Sequence, residues 1–150
     1  MRYFLAAALL AIVGLVASGS ATAAGQVPFT ISEQINFATG DFTFTTTGPL
    51  CPSGTFADTV QAVGAGPKSP GVNLLITTVY TCDNGSGTFD MVKHVFLTFN
   101  PDGSATNTGP VQLLGGTGAY ANLIGHGVDN GSNNGVDTGS GEITGWVLQS

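Results

Sequence analysis

The chain has 150 residues, 23 of them glycine and 42% hydrophobic, with three Lys or Arg against nine Asp or Glu and a formal charge of −6. Binding to nucleic acid or to an anionic membrane needs clusters of Lys and Arg that displace counterions, so this balance sets both aside. The length suffices for one domain with a single core.

Met1 and Arg2 are followed by the apolar run "YFLAAALLAIVGLVA" and by "SGSATAA", with small residues at Ala21 and Ala23. One positive charge, an apolar stretch too short for a membrane anchor, and an A-x-A site form the pattern of a secretory signal peptide. The pattern predicts a leader over residues 1–23 and a single exported domain over residues 24–150. Without Arg2, Lys68 and Lys93 are the basic residues of that domain besides two histidines.

From there the pattern is β. No long window repeats apolar residues at a helical spacing, and Gly or Pro interrupts nearly every candidate. The first strand, "VPFTISEQINF", puts Phe29, Ile31, Glu33, Ile35 and Phe37 on one face. Glu33 then has two readings: a lumen carboxylate with a raised pKa, suited to act as a base or to polarise a ligand, or a rim residue turned outward. "DFTFTTT" predicts a second strand, "TFADTVQAV" a third and "NLLITTVYT" a fourth, with "AVGAGPKSPG" as a surface loop between the last two. Cys51 and Cys82 are the only cysteines. In an exported chain they predict one disulfide, which would contribute about 3–4 kcal/mol by closing a loop of roughly thirty residues.

The fifth strand, "GTFDMVKHVFLTF", sets Lys93 among Phe89, Met91, Val95, Leu97 and Phe99, and His94 with Val92 and Phe96 on the other face. Both faces are apolar, which predicts that a neighbouring subunit or a loop covers the outward one. Lys93 is expected to pair with Glu33 across the lumen, and Glu33, Lys93 and His94 are the candidate pocket residues. "CDNGSG" before this strand and "NPDGS" after it carry the Asn-Gly and Asp-Gly of hairpin turns.

After the sixth strand, "SATNTGPVQLL", comes "GGTGAYANLIGHG". Gly116, Gly118 and Ala121 match the G-x-G-x-x-A spacing of dinucleotide sites, but no amphipathic helix follows to hold a pyrophosphate. The segment instead predicts a bulged turn at Gly115, Gly116, Thr117 and Gly118, then Tyr120 and a seventh strand in which Gly125 and Gly127 permit close backbone approach. "DNGSNNGVDTGSG" reads as a long polar loop before the last strand, "GEITGWVL". Asp129, Asn133, Asp137 and Glu142 keep a calcium site in the stretch from Asp129 to Glu142 an open question, although Gly131 departs from the EF-hand pattern. His94 and His126, with Glu33 or Asp129, lack the local spacing of a zinc site, and no G-x-S-x-G is present. No cofactor or metal is expected. Eight short strands joined by tight turns predict an all-β antiparallel fold, a closed barrel or a sandwich.

"LLGGTGAYANLIGHG" with the closing "GEITGWV" resembles the late-strand signature of allene-oxide-cyclase-like and dirigent-like barrels. "CPSGTF" and "YTCDNGSGTF" add a likeness to small secreted bacterial proteins of that group, so the resemblance spans about residues 50–147. It implies an all-β, eight-stranded antiparallel barrel with a hydrophobic lumen, often trimeric, and so favours the barrel over the sandwich. It carries over no active-site residue.

The aromatic supply and the scarcity of catalytic side chains favour a secreted binding module for a small apolar ligand or a surface partner. One alternative is an isomerase or cyclase resembling allene oxide cyclase, with Glu33 stabilising charge. Another is a structural envelope protein with a filled barrel.

Overall fold

A computed structural model describes residues 25–64 and 69–148, so the predicted leader and Lys68 lie outside the described residues. Eight antiparallel strands form a closed barrel in which each pairs with its chain neighbours: β1 (Gln26–Asn36), β2 (Asp41–Thr47), β3 (Ser53–Gly64), β4 (Gly71–Cys82), β5 (Thr88–Phe99), β6 (Ala105–Gly116), β7 (Ile124–Asn133) and β8 (Thr138–Leu148). The barrel closes between β1 and β8 through an unbroken register from Gln26 opposite Leu148 to Asn36 opposite Thr138. Closure leaves few exposed edges on these Thr- and Phe-rich strands.

Turn chemistry sets the hairpins. Asn84 and Asp102 each fold a side-chain oxygen back onto the amide two residues on, at 3.0 Å to Ser86 and 3.0 Å to Ser104. The expected disulfide joins Cys51, just before β3, to Cys82 at the end of β4 with a Cα separation of 5.9 Å. It ties the β2–β3 connection to the β4–β5 end of the barrel.

The glycine segment ends β6 in a bulge, because Phe89 and Met91 of β5 face Gly116 and Leu113 of β6, one residue more on the β6 side. A single 3-10 turn over Gly118–Tyr120 follows. Gly118 has φ +59, and a Cβ there would lie 2.3 Å from the carbonyl oxygen of Ser86. Only glycine lets the two turns approach this closely, and the amide of Ala119 donates to that Ser86 oxygen at 2.9 Å. Thr117 joins the contact, its Oγ1 accepting from the Thr88 amide at 3.0 Å. Tyr120 is thereby aimed into the barrel end, where its ring meets Phe89 edge-on at 5.6 Å. Gly125 and Gly127 sit in β7 with backbone of β8 beside them, at 2.6 Å from the Trp146 oxygen and 2.5 Å from the Thr144 oxygen to the Cβ each would carry.

Two segments differ from the sequence reading. Residues 119–123 are turn rather than strand, because the 3-10 turn and a break at Leu123 precede β7. The polar stretch taken for a long loop from Asp129 is mostly sheet: β7 runs to Asn133 and β8 starts at Thr138, with a short turn between them. Its Asn, Gly and Ser content suggested a loop, yet the pairing is continuous from Asp129 opposite Ile143 to Asn133 opposite Gly139. Asp129 is inside the barrel and Glu142 is exposed on the outer wall, so these two carboxylates cannot share a calcium ion. Among the described residues, no group of three His, Cys, Asp or Glu side chains is placed to hold a metal ion.

The interior is divided along its axis. At the end closed by the glycine turn, Tyr80 stacks on Phe89 at 4.6 Å, Phe44 meets both edge-on, and Phe29, Ile31, Met91, Val111, Leu113, Ile143 and Val147 complete a packed core. Each such aromatic pair contributes about 0.5–1.5 kcal/mol beyond the area it buries. The other end is open. β2 has only seven residues and pairs with β3 only from Thr43 opposite Thr55 to Thr45 opposite Ser53. Beyond Thr55, β3 has no pairing partner on that side among the described residues, and the wall there is a slit. Phe42 stacks on Phe56 at 5.5 Å across the seam and seals its lower part.

Candidate functional site

The period-2 alternation that buries Phe29 and Ile31 carries on along β1 and brings Glu33 inside, 3% exposed. The same alternation on β5 turns Lys93 inward, 2% exposed, between Met91 and Val95. The two meet across the lumen, with Lys93 Nζ donating to Glu33 Oε1 at 2.6 Å. The Tyr80 hydroxyl, from β4, donates to the same oxygen. Lys93 Nζ also lies 5.8 Å from the ring centres of Phe56 and Tyr80, so aromatic faces replace part of its lost hydration. Burial, with the charge of Glu33 next to it, pushes the Tyr80 pKa well above its ordinary value and keeps the phenol a donor.

Two further carboxylates complete this polar layer. Asp58 of β3 accepts from Thr78 Oγ1 at 2.6 Å, and burial raises its pKa against the opposing pull of Lys93. Asp129 of β7 is 3% exposed and accepts from Asn107 Nδ2 at 3.1 Å through Oδ2. Its Oδ1 is buried with no hydrogen-bond partner among the described residues. Burial raises the Asp129 pKa from 3.8 to about 6, with Lys93 opposing the shift and Glu33 and Asp58 adding to it. Three carboxylates thus surround one ammonium.

Above this layer lies a cavity of about 190 Å³. Ile35, Leu74, Ile76, Val95 and Leu97 line it, Glu33, Asp58, Lys93, Asn107 and Asp129 form its floor, and Phe37 and Val60 stand at its mouth. No β2 residue lines it. Val60 is 57% exposed, so the slit beside β3 opens into the cavity. One wall is glycine, Gly131, Gly139 and Gly141. A Cβ at Gly141 would lie 2.9 Å from Glu33 Oε2, so this glycine makes room for the carboxylates.

The structure brings together two of the three candidate pocket residues, Glu33 and Lys93. His94 is a correction: it is exposed on the outer face of β5, because its neighbours Lys93 and Val95 both point inward. His126 is also outside, its ring 5.3 Å from that of Trp146. Asp58, Tyr80, Asn107 and Asp129 were not anticipated as pocket residues. The signal for Asp58 and Tyr80 was available, since each alternates with Phe56 or Ile76 on an inward face. For Asp129 the pattern is inverted, with Gly125, Gly127 and Gly131 on its face and Ile124 and Val128 exposed on the other.

Chemically, the floor offers a buried ion pair, a carboxylate whose pKa burial pushes up to about 6, and a buried acceptor oxygen without a partner among the described residues, all beneath an apolar chamber. A comparison with protein-family models, with curated proteins and with solved structures found no match.

Proposed function

We propose that this protein is an exported binding module that takes a small, largely apolar molecule into the open half of its barrel. The observation that carries this reading is the division of the lumen: one half is packed by aromatic rings, the other is an apolar-walled cavity over a charged floor. Concave, mostly apolar sites with a few convergent polar groups are the usual form of small-molecule sites. The disulfide and the leader pattern support export, since disulfides persist in oxidising compartments. The unfilled half weighs against a purely structural barrel.

A second reading, proton-transfer chemistry of the cyclase or isomerase kind, is favoured by Asp129. A carboxylate titrating near pH 6 beside an apolar chamber is matched to general-base work at neutral pH. It also agrees with the allene-oxide-cyclase-like resemblance.

Native mass spectrometry of the protein from its exporting host, under gentle and then denaturing conditions, tests the leading reading. A small molecule released on denaturation, and lost in Val60→Trp, which blocks the mouth, is the expected result. A wild-type protein that carries nothing and binds no member of a small apolar fragment set overturns it. Chemical conversion of the bound molecule by wild type but not by Asp129→Asn would favour the second reading.

A further inference from the structure

Resting on that reading of the lumen, we propose that the polar end of the ligand is a protonated amine held between Glu33 and Asp129, and not an anion held by Lys93. The unpartnered carboxylate oxygens and the net charge of the layer decide the sign. Lys93, the single Lys or Arg among the described residues, is already bonded to Glu33 Oε1 and flanked by two aromatic rings. Tyr80 spends its proton on the same oxygen, and Asn107 donates to Asp129 Oδ2. Lys93 and Asn107 keep further N–H groups, but each is already tied to a carboxylate of the floor, whereas two carboxylate oxygens have no donor among the described residues.

Asp129 Oδ1 is buried without a partner, and both side-chain hydrogen bonds to Glu33 go to Oε1, so that Oε2 accepts none among the described residues. A buried acceptor without a donor is costly, and a ligand that supplies the donor recovers that cost. Position agrees with chemistry. The point where Gly141 would carry a Cβ lies 2.9 Å from Glu33 Oε2 and 3.6 Å from Asp129 Oδ1. The two oxygens are therefore no more than 6.5 Å apart (2.9 plus 3.6) on either side of Gly141, a span that one ammonium in the cavity in front of the glycine can bridge with hydrogen bonds of about 3 Å. With Glu33, Asp58 and Asp129 facing one Lys93, an added cation brings the layer nearer to neutrality, and an added anion would meet net negative charge. The aliphatic walls formed by Ile35, Leu74, Ile76, Val95 and Leu97 suit a compact hydrocarbon body.

Three probes of equal shape test this: cyclohexylmethylammonium, cyclohexylmethanol and cyclohexanecarboxylate, titrated at pH 7.5 while the methyl resonances of Ile35, Leu74, Ile76 and Val95 are followed by NMR. The ammonium is expected to bind about tenfold or more tightly than the alcohol, as a charge-assisted pair of hydrogen bonds requires, and the carboxylate weakest of all. Asp129→Asn, which keeps the shape and removes the charge, is expected to bring the ammonium down to the level of the alcohol while alcohol binding stays within about twofold, since the neutral probe makes no ion pair there. Tightest binding of the carboxylate, or equal binding of ammonium and alcohol, overturns the amine assignment and leaves lumen binding standing. If none of the three moves the lumen methyls, the lumen reading falls as well.

Discussion

Glu33 and Lys93 are partners in one ion pair, yet their removal should not cost the same. At 2.6 Å and an effective dielectric near 20, their attraction is about 6 kcal/mol, against a desolvation penalty of several kcal/mol for each ion. As a unit the pair stands near break-even, and the cost of a variant is set by what is left behind. Lys93→Met leaves Glu33, Asp58 and Asp129 facing one another without a cation. The expected loss is about 3–5 kcal/mol at pH 8. It should shrink as pH falls toward 5: Asp58 and Asp129 have folded pKa values raised above their ordinary ones, so in that window the folded state binds more protons than the unfolded one, and stability is present at low pH and lost as pH rises. Glu33→Gln leaves Lys93 beside Asp58 and Asp129 and keeps an acceptor for Tyr80, and its expected cost is about 1–2 kcal/mol with little pH dependence. Urea unfolding followed by the fluorescence of Trp146, the only tryptophan, reads both variants. With a slope of about 1–3 kcal/mol per molar urea, a difference of about 2 kcal/mol separates their midpoints by roughly 1 M. Equal costs for the two substitutions, or a Lys93→Met cost that does not change between pH 5 and 8, would refute the reasoning.

Asp129 itself should destabilise the barrel at neutral pH. Its pKa is raised from 3.8 to about 6, so the associated stability is whole below pH 4, falls through pH 6 and is gone above it, a difference of about 2–3 kcal/mol. Asp129→Asn is therefore expected to raise the urea midpoint at pH 8 and leave it unchanged at pH 4; no gain at pH 8 would contradict the burial argument. Gly118→Ala meets both a positive φ and the Ser86 carbonyl, and should cost about 2–4 kcal/mol, against about 1–2 kcal/mol for Gly103→Ala, where φ is +88 and the space is open. Thermal melts of the two variants side by side check the contrast, and similar shifts would deny the close approach of the turns. Reduction of Cys51–Cys82, separated by 31 residues, should lower stability by about 3–4 kcal/mol, measured by urea unfolding with and without reductant.

The strands and hairpins were legible because their evidence is local, whereas closure, the pairing of β1 with β8 from opposite ends of the chain, left barrel and sandwich equally open until the family resemblance favoured the barrel. Alternation along Phe29, Ile31, Glu33 and Ile35, and along Phe89, Met91, Lys93 and Val95, survives from sequence to lumen, and the Asn-Gly and Asp-Gly turns fix the hairpins between them. The pairing of Glu33 with Lys93 was legible for the same reason, each being the one charged residue on an otherwise apolar face. His94 was misplaced because a strand apolar on both sides does not say which side is in. Asp129 was hidden because glycine carries no side chain: a lumen face written Gly125, Gly127, Asp129, Gly131 has no hydrophobic period to detect, and its exposed neighbours Ile124 and Val128 suggest the opposite orientation.

That inverted strand explains how one fold holds both a core and a site. A small eight-stranded barrel has an interior just wide enough for side chains to fill, so space for a ligand must come from side chains that are missing. Here β7 and β8 supply it, with Gly131, Gly139 and Gly141 in the open half, while the packed half is built from the aromatic residues of β2, β4 and β5. The short β2 opens the side wall at the same level. The residues least consistent with folding, the unpaired Asp129 oxygen and the crowded carboxylates, sit where the wall is thinnest, and natural proteins break local folding rules mainly at functional sites. In urea unfolding, Gly139→Ala, with nothing nearer its Cβ than the Ser132 oxygen at 3.3 Å, should therefore be at least as stable as wild type, whereas Gly131→Ala, 2.4 Å from Asn107 Oδ1, and Gly141→Ala, 2.9 Å from Glu33 Oε2, should lose stability, and all three should weaken lumen binding followed by the methyl resonances.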